Sequence, residues 1–203
     1  MQLAPRLLAT FLAAALLGAA VGAKAGGPVA ALQPTTGTSL STSEKALRAA
    51  LWTEARHLGA DLRESLAEAI TSAEAKHGIP ALLLVALIVQ ESGFDPTAEN
   101  AGALGLMQLR PFVAKDCARR SGLAWKGEAT LLDPVRNVQI ASAYFGELVD
   151  RFESLDLALA AYNKGPELVK RQLRNANDNT PTARFAIDVL GRYQSYTARF
   201  AAY

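Results

Sequence analysis

Apolar residues recur at helical spacing along most of the chain after residue 41. Leu47, Leu51, Leu58, Leu62, Leu66 and Ile70 are four or seven apart and share one helix face. Ser41 with Glu44 three residues on is a capping-box pattern that opens this run. Gly59, with Asp61 and Glu64 just after it, predicts a split into two helices, and Gly78 predicts a stop. Pro80 then opens PALLLVALIVQ, which is apolar on every face and therefore predicts a buried central helix. Further helices are predicted at about 111–121, 134–151, 156–163, 166–174 and 182–196. Pro111 and Pro134 sit in first turns, and Asp133 is suited to N-capping. NANDNTP at 175–181 reads as a loop, and no alternating pattern of useful length predicts a strand. The fold class expected is all-α.

The first residues follow a different logic. Arg6 precedes an uncharged apolar run from Leu7 to Val21, and Ala23-Lys24-Ala25 offers the small-x-small pattern of a signal-peptidase site. Residues 1–25 are expected to be a cleaved signal peptide, which makes the mature protein exported and periplasmic. The run is shorter than the ~20 residues that span a bilayer core. Residues 26–42, rich in Gly, Pro, Ser and Thr, are expected to be a flexible linker, leaving 43–203 as the folded domain.

Composition narrows the function further. Half of the 203 residues are apolar and 20% are charged, a globular balance. The net charge of +2 comes from Arg6 and Lys24, so the body beyond the first segment is neutral. That argues against a nucleic-acid partner held by a general basic surface. Cys117 is alone, which excludes an intrachain disulfide, and its helical surroundings predict a small core residue. With only His57 and His77 beside it, no Cys/His metal site is expected.

The central helix ends at Gln90-Glu91-Ser92-Gly93, so Glu91 follows an almost wholly apolar stretch. Apolar surroundings and the negative end of the helix dipole both disfavour its charged form, as a general acid near neutral pH requires. Downstream, GALGLMQ and AYNKG bring small residues that let backbone approach a ligand. Gln108 and Asn163 bring hydrogen-bonding amides, and Met107 and Tyr162 offer apolar faces suited to sugar rings.

ESGFDP, GALGLMQL and ALAAYNKGP, in that order, resemble the three main motifs of the bacterial lytic transglycosylase catalytic domain. The resemblance covers roughly residues 70–200. It extends to HGIPALLLVALIVQESGF and to LLDPVRNVQIASAYFGELVDRF. It implies a helical fold similar to goose-type lysozyme. It further implies action on the β-1,4 bond between N-acetylmuramic acid and N-acetylglucosamine in peptidoglycan glycan strands. Carried over, it makes Glu91 the catalytic acid/base and Ser92 a support of local geometry. Gly105, Leu106, Met107 and Gln108 become residues lining the glycan groove. Tyr162 and Asn163 complete the site, with the Tyr162 hydroxyl close to the carboxylate. No cofactor or metal is implied. The sequence departs from the pattern where Asn100 stands in place of a common Ser, and where the Glu91–Gly105 stretch is about one residue short. It also departs where Phe185 replaces a fourth-motif Tyr; either that hydroxyl is dispensable, or Tyr193 or Tyr196 supplies it.

One carboxyl suffices for the non-hydrolytic route. Glu91 protonates the leaving oxygen and then takes the proton of the C6 hydroxyl, closing a 1,6-anhydro ring. A two-carboxylate hydrolase would need a second acid, for which Asp95 and Glu99 are the nearest candidates. A hydrolytic muramidase and a non-catalytic wall-binding assembly factor are the alternatives. The expected protein is a monomer, with envelope or secretion-machine proteins as further partners that the sequence does not name.

Overall fold

The computed structural model describes residues 40–175 and 184–200. The expected leader, most of the expected linker and most of the NANDNTP loop lie outside them. Helix α1 (Thr42–Glu54) begins inside the stretch expected to be linker, because Ser41 caps it. The Ser41 hydroxyl accepts from the Glu44 N–H at 3.2 Å, and the Glu44 carboxylate accepts from the Ser41 N–H at 2.8 Å. The break at Gly59 is real: α2 spans Ala60–His77 and ends on Gly78 in the left-handed region.

Helix α3 (Ala81–Ser92) is the buried centre. Leu83 to Ile88 are all fully buried. Pro80 has no side-chain acceptor to cap it, and the Glu74 carboxylate of α2 does so instead, accepting from the Ala81 N–H at 2.9 Å. Helices α1, α2 and α8 (Arg184–Phe200) pack around α3. Helix α4 (Pro111–Ser121) and a 3₁₀ turn (Glu128–Leu132) lead into the long α5 (Pro134–Phe152). α5 lies against α2, α4 and α6 (Leu155–Lys164), and α7 (Pro166–Asn175) follows. Asp133 caps α5 as expected, accepting from the Arg136 N–H at 3.0 Å. Cys117 is buried within this packing, where desolvation pushes its thiol up to about 11.

Two details depart from expectation. Helix α8 continues four residues beyond the predicted end, held by Tyr196 and Phe200, whose buried rings lie 6.0 Å apart. A minimal hairpin, β1 (Glu99–Asn100) with β2 (Ala103–Leu104), stands where no strand was expected. Its turn residues Ala101 and Gly102 have φ of 48° and 77°, the pattern of a two-residue turn that favours Asn and Gly. The all-α class holds, and the hairpin serves only to shape a loop beside the end of α3.

Candidate active site

The last turn of α3 sets the position of Glu91. Gly93 ends the helix at φ 61°, and Phe94 follows at φ 66°, an uncommon conformation for an aromatic residue. Phe94 tolerates it because its ring is fully buried and its carbonyl lies 3.1 Å from the His57 Nε2. The chain therefore turns sharply away, leaving the Glu91 carboxyl at the wall of a cleft of about 990 Å³. Asn100, Gln108, Tyr144, Tyr162 and Asn163 share that wall, and Phe112 stands exposed at its edge.

Burial raises the Glu91 carboxyl to about 7. The cause of the shift is desolvation by the surrounding protein. Asp116, Glu147 and Glu167 also line the cleft, but each is paired. Asp116 and Glu147 both hold Arg120, with the Glu147 contact at 2.6 Å, and Glu167 holds Arg151. Among the described residues, Glu91 is the cleft carboxylate without an ion-pair partner. Neither Asp95 nor Glu99 reaches the cleft wall. Asp95 is exposed and accepts from both the N–H and the hydroxyl of Thr97 at 2.8 Å, an Asx turn that lowers its pKa.

The second motif acts through its backbone. Leu104 and Leu109 pair across a tight loop, and Gly105 sits at φ 75° within it. A Cβ at Gly105 would lie 2.2 Å from the Leu131 carbonyl oxygen and 2.4 Å from Asn137 Nδ2, so only glycine fits. Leu106 and Met107 are fully buried. The expectation that their side chains line the groove is corrected: both are core residues, and Met107 offers no face to a sugar. What they offer is a peptide. The Leu106 carbonyl accepts from the Ser92 hydroxyl at 2.7 Å, so Ser92 ties this loop to the turn carrying Glu91. Gln108 does reach the cleft. Its Nε2 donates to the carbonyls of Ala98 at 2.8 Å and Gly105 at 3.0 Å. Both amide donors are thus committed within the loop, leaving Oε1 as an acceptor toward a ligand.

Tyr162 comes from α6, whose buried Ala158, Ala160 and Ala161 let it approach closely. Its ring packs edge-on against Phe145 at 5.8 Å and tilted against Tyr144 at 5.7 Å. The hydroxyl donates to the Met107 carbonyl at 2.7 Å. Burial first, and the Glu91 charge second, hold that hydroxyl well above its usual pKa. It stays protonated with its one proton committed to Met107, so toward Glu91 it can only accept. A proton-accepting neighbour suits the protonated carboxyl. Asn163 is exposed on the rim.

Asn137 and Tyr144 are the residues that sequence reading missed. Asn137 is fully buried on a stripe with Ala141, Tyr144, Phe145 and Leu148, and a polar residue on an apolar stripe was the available signal. Of the two alternatives for the hydroxyl absent at Phe185, the positions of Tyr193 and Tyr196 favour the one in which it is dispensable. Phe185 and Tyr193 pack on the core, and Tyr196 lines a separate pocket with Glu54 and Arg192; none of the three lines the Glu91 cleft.

An all-helical domain with a carboxyl buried at the mouth of its central helix and facing a long cleft is a lysozyme-like arrangement. Residues 68–185 match the family model described as the transglycosylase SLT domain, and the chain belongs to that family. It is 40% identical over 81 residues to an endo-type membrane-bound lytic murein transglycosylase A of Klebsiella pneumoniae, covering 37% of this chain and 39% of that one. It is 28% identical over 123 residues to a soluble lytic murein transglycosylase of Salmonella typhimurium, covering 59% and 19%. Among solved structures it resembles an inactive mutant of the lytic transglycosylase Slt of Pseudomonas aeruginosa, with TM-score 0.60 and 26% identity. That match covers 66% of this chain and 24% of the other. The chain spans well under half the length of these relatives.

Proposed function

We propose that this chain is an exported peptidoglycan lytic transglycosylase that uses Glu91 as its single acid/base. The bond cleaved is the β-1,4 link between N-acetylmuramic acid and N-acetylglucosamine. The observation that carries this reading is the state of Glu91: a carboxyl held near neutrality by burial, in a cleft whose other described carboxylates are all bound to arginines. Such a group is protonated often enough to donate and basic enough to take a proton back.

In the first half of the reaction the Glu91 proton passes to the leaving glycosidic oxygen. In the second, the carboxylate removes the proton from the C6 hydroxyl of the same muramic acid, whose oxygen bonds to C1. The bond made replaces the bond broken and Glu91 ends as it began. With Asp116, Glu147 and Glu167 tied to cations, no described carboxylate in the cleft is free to activate a water. The intramolecular hydroxyl has the advantage of effective concentration. Gln108 Oε1 and Asn163 supply hydrogen bonds to the glycan, and the Tyr162 hydroxyl keeps its own proton on the Met107 carbonyl. The likeness to the Pseudomonas enzyme adds support, since that protein was rendered inactive by exchanging one glutamate for glutamine. Export through residues 1–25 delivers the chain to its polymeric substrate.

The test is the mass of the saccharide ends released from purified sacculi. Ends lighter than the hydrolysed form by one water are expected. Ends formed directly with a reducing terminus would make the enzyme a muramidase, and absence of cleavage would leave a binding domain.

A further inference from the structure

We propose that Asn137 is a positioning residue for the reaction assigned above, acting through the Met107 peptide on the Tyr162 hydroxyl. Asn137 is one of two fully buried polar side chains among the described residues, and its carboxamide is used on both sides. Nδ2 donates to the Leu104 and Leu131 carbonyls, each at 2.9 Å, and Oδ1 accepts from the Met107 N–H at 2.8 Å. The Leu106–Met107 peptide is thereby clamped at both ends. Its N–H goes to Asn137 on α5, and its carbonyl accepts from Ser92 beside Glu91 at 2.7 Å. The next peptide turns its carbonyl to the Tyr162 hydroxyl at 2.7 Å.

A hydroxyl has one proton. While the Met107 carbonyl holds it, Tyr162 presents a lone pair to the cleft. If the Met107 peptide were free to rotate, the hydroxyl could turn and donate to the Glu91 carboxylate, stabilising the form that cannot protonate the leaving group. Asn137 does not line the cleft, so its effect on turnover must run through this relay rather than through substrate contact. Gly105 belongs to the same construction, since a Cβ there would strike Asn137 Nδ2.

The test is a double-mutant cycle on the full chain: wild type, Asn137→Ala, Tyr162→Phe and both together. The readouts are kcat, KM and thermal midpoint on purified sacculi or soluble glycan strands. Each single change should lower kcat by about three- to tenfold, the worth of one hydrogen bond. KM should move by less than about twofold, and the double variant should match Tyr162→Phe in kcat within about twofold, the non-additivity of residues in one hydrogen-bond network. Multiplying kcat losses, or full turnover in Asn137→Ala, would overturn the proposal and reduce Asn137 to a packing role. Should Asn137→Ala not fold, Ser92→Ala releases the other end of the same peptide, with the same expected coupling to Tyr162→Phe and the same contrary result. The proposal rests on Glu91 being the acid. Glu91→Gln is run alongside: retained activity there, or an inactive wild type, removes that reading and the proposal with it. A dead Glu91→Gln with uncoupled Asn137 removes the proposal alone.

Discussion

The two ends of the cleft treat carboxylates in opposite ways. At the α3 end, Glu91 is largely desolvated with no cation beside it, and burial raises it to about 7. At the α4–α5–α7 end, Asp116 and Glu167 are exposed and Glu147 half-buried, all held by Arg120 or Arg151, and the Arg151 contact lowers Glu167. One kind of group is thus held near neutrality in one place and ion-paired in another. The difference is environment: burial without a cation disfavours the charged carboxylate, and a neighbouring guanidinium favours it.

The largest effect should come from Glu91→Gln. The amide keeps the shape but cannot exchange a proton, so sacculus cleavage should fall by at least about 100-fold with the fold intact. A circular-dichroism spectrum and melting point like those of the wild type would confirm that chemistry was lost. Next comes Gly105→Ala, behind the Glu91 end. A left-handed φ and contacts of 2.2 and 2.4 Å leave no room for a Cβ. Unfolding in urea should show a loss of about 2–4 kcal/mol, together with weakened turnover. At the opposite end, Arg120→Ala removes exposed ion pairs and should change stability by no more than about 1 kcal/mol. If it instead abolished activity as Glu91→Gln does, the paired end would have a chemical part that its exposure does not suggest. The smallest effect belongs to Tyr193→Phe and Tyr196→Phe. Neither residue lines the cleft, so turnover should stay within about twofold of wild type.

Much of this was legible in the chain. The capping box at Ser41, the stops at Gly78 and Gly93, the Asp133 cap and the wholly apolar central helix each follow from local rules, and the structure reproduces them. Glu91 was legible for the same reason, since it stands in the last turn of that apolar helix. The hairpin at 99–104 was not, because Ala101 occupies a left-handed position without the Asn or Gly that would have announced it. Met107 misled because a large apolar residue in a motif reads equally well as a ligand face or as core. Only long-range packing shows that its backbone carbonyl is the contributing group. Asn137 escaped because its three partners lie up to 33 residues away in sequence. Tyr193 and Tyr196 are near in sequence to the expected fourth motif, but a helix turns residues a few positions apart onto different faces.

The titration of Glu91 can be read directly as the carboxyl ¹³C signal present in wild type and missing in Glu91→Gln. A midpoint of about 7 is expected. A carboxyl whose folded pKa lies above its ordinary 4.5 keeps protons that the unfolded chain has lost, so it costs stability as pH rises through that window. Glu91→Gln should therefore gain on the order of 3 kcal/mol over wild type above pH ~7 and nothing below pH ~4.5. A midpoint near 4.5, with no pH-dependent gain in the Gln variant, would rule Glu91 out as the acid, because it would then have no proton to give at neutral pH.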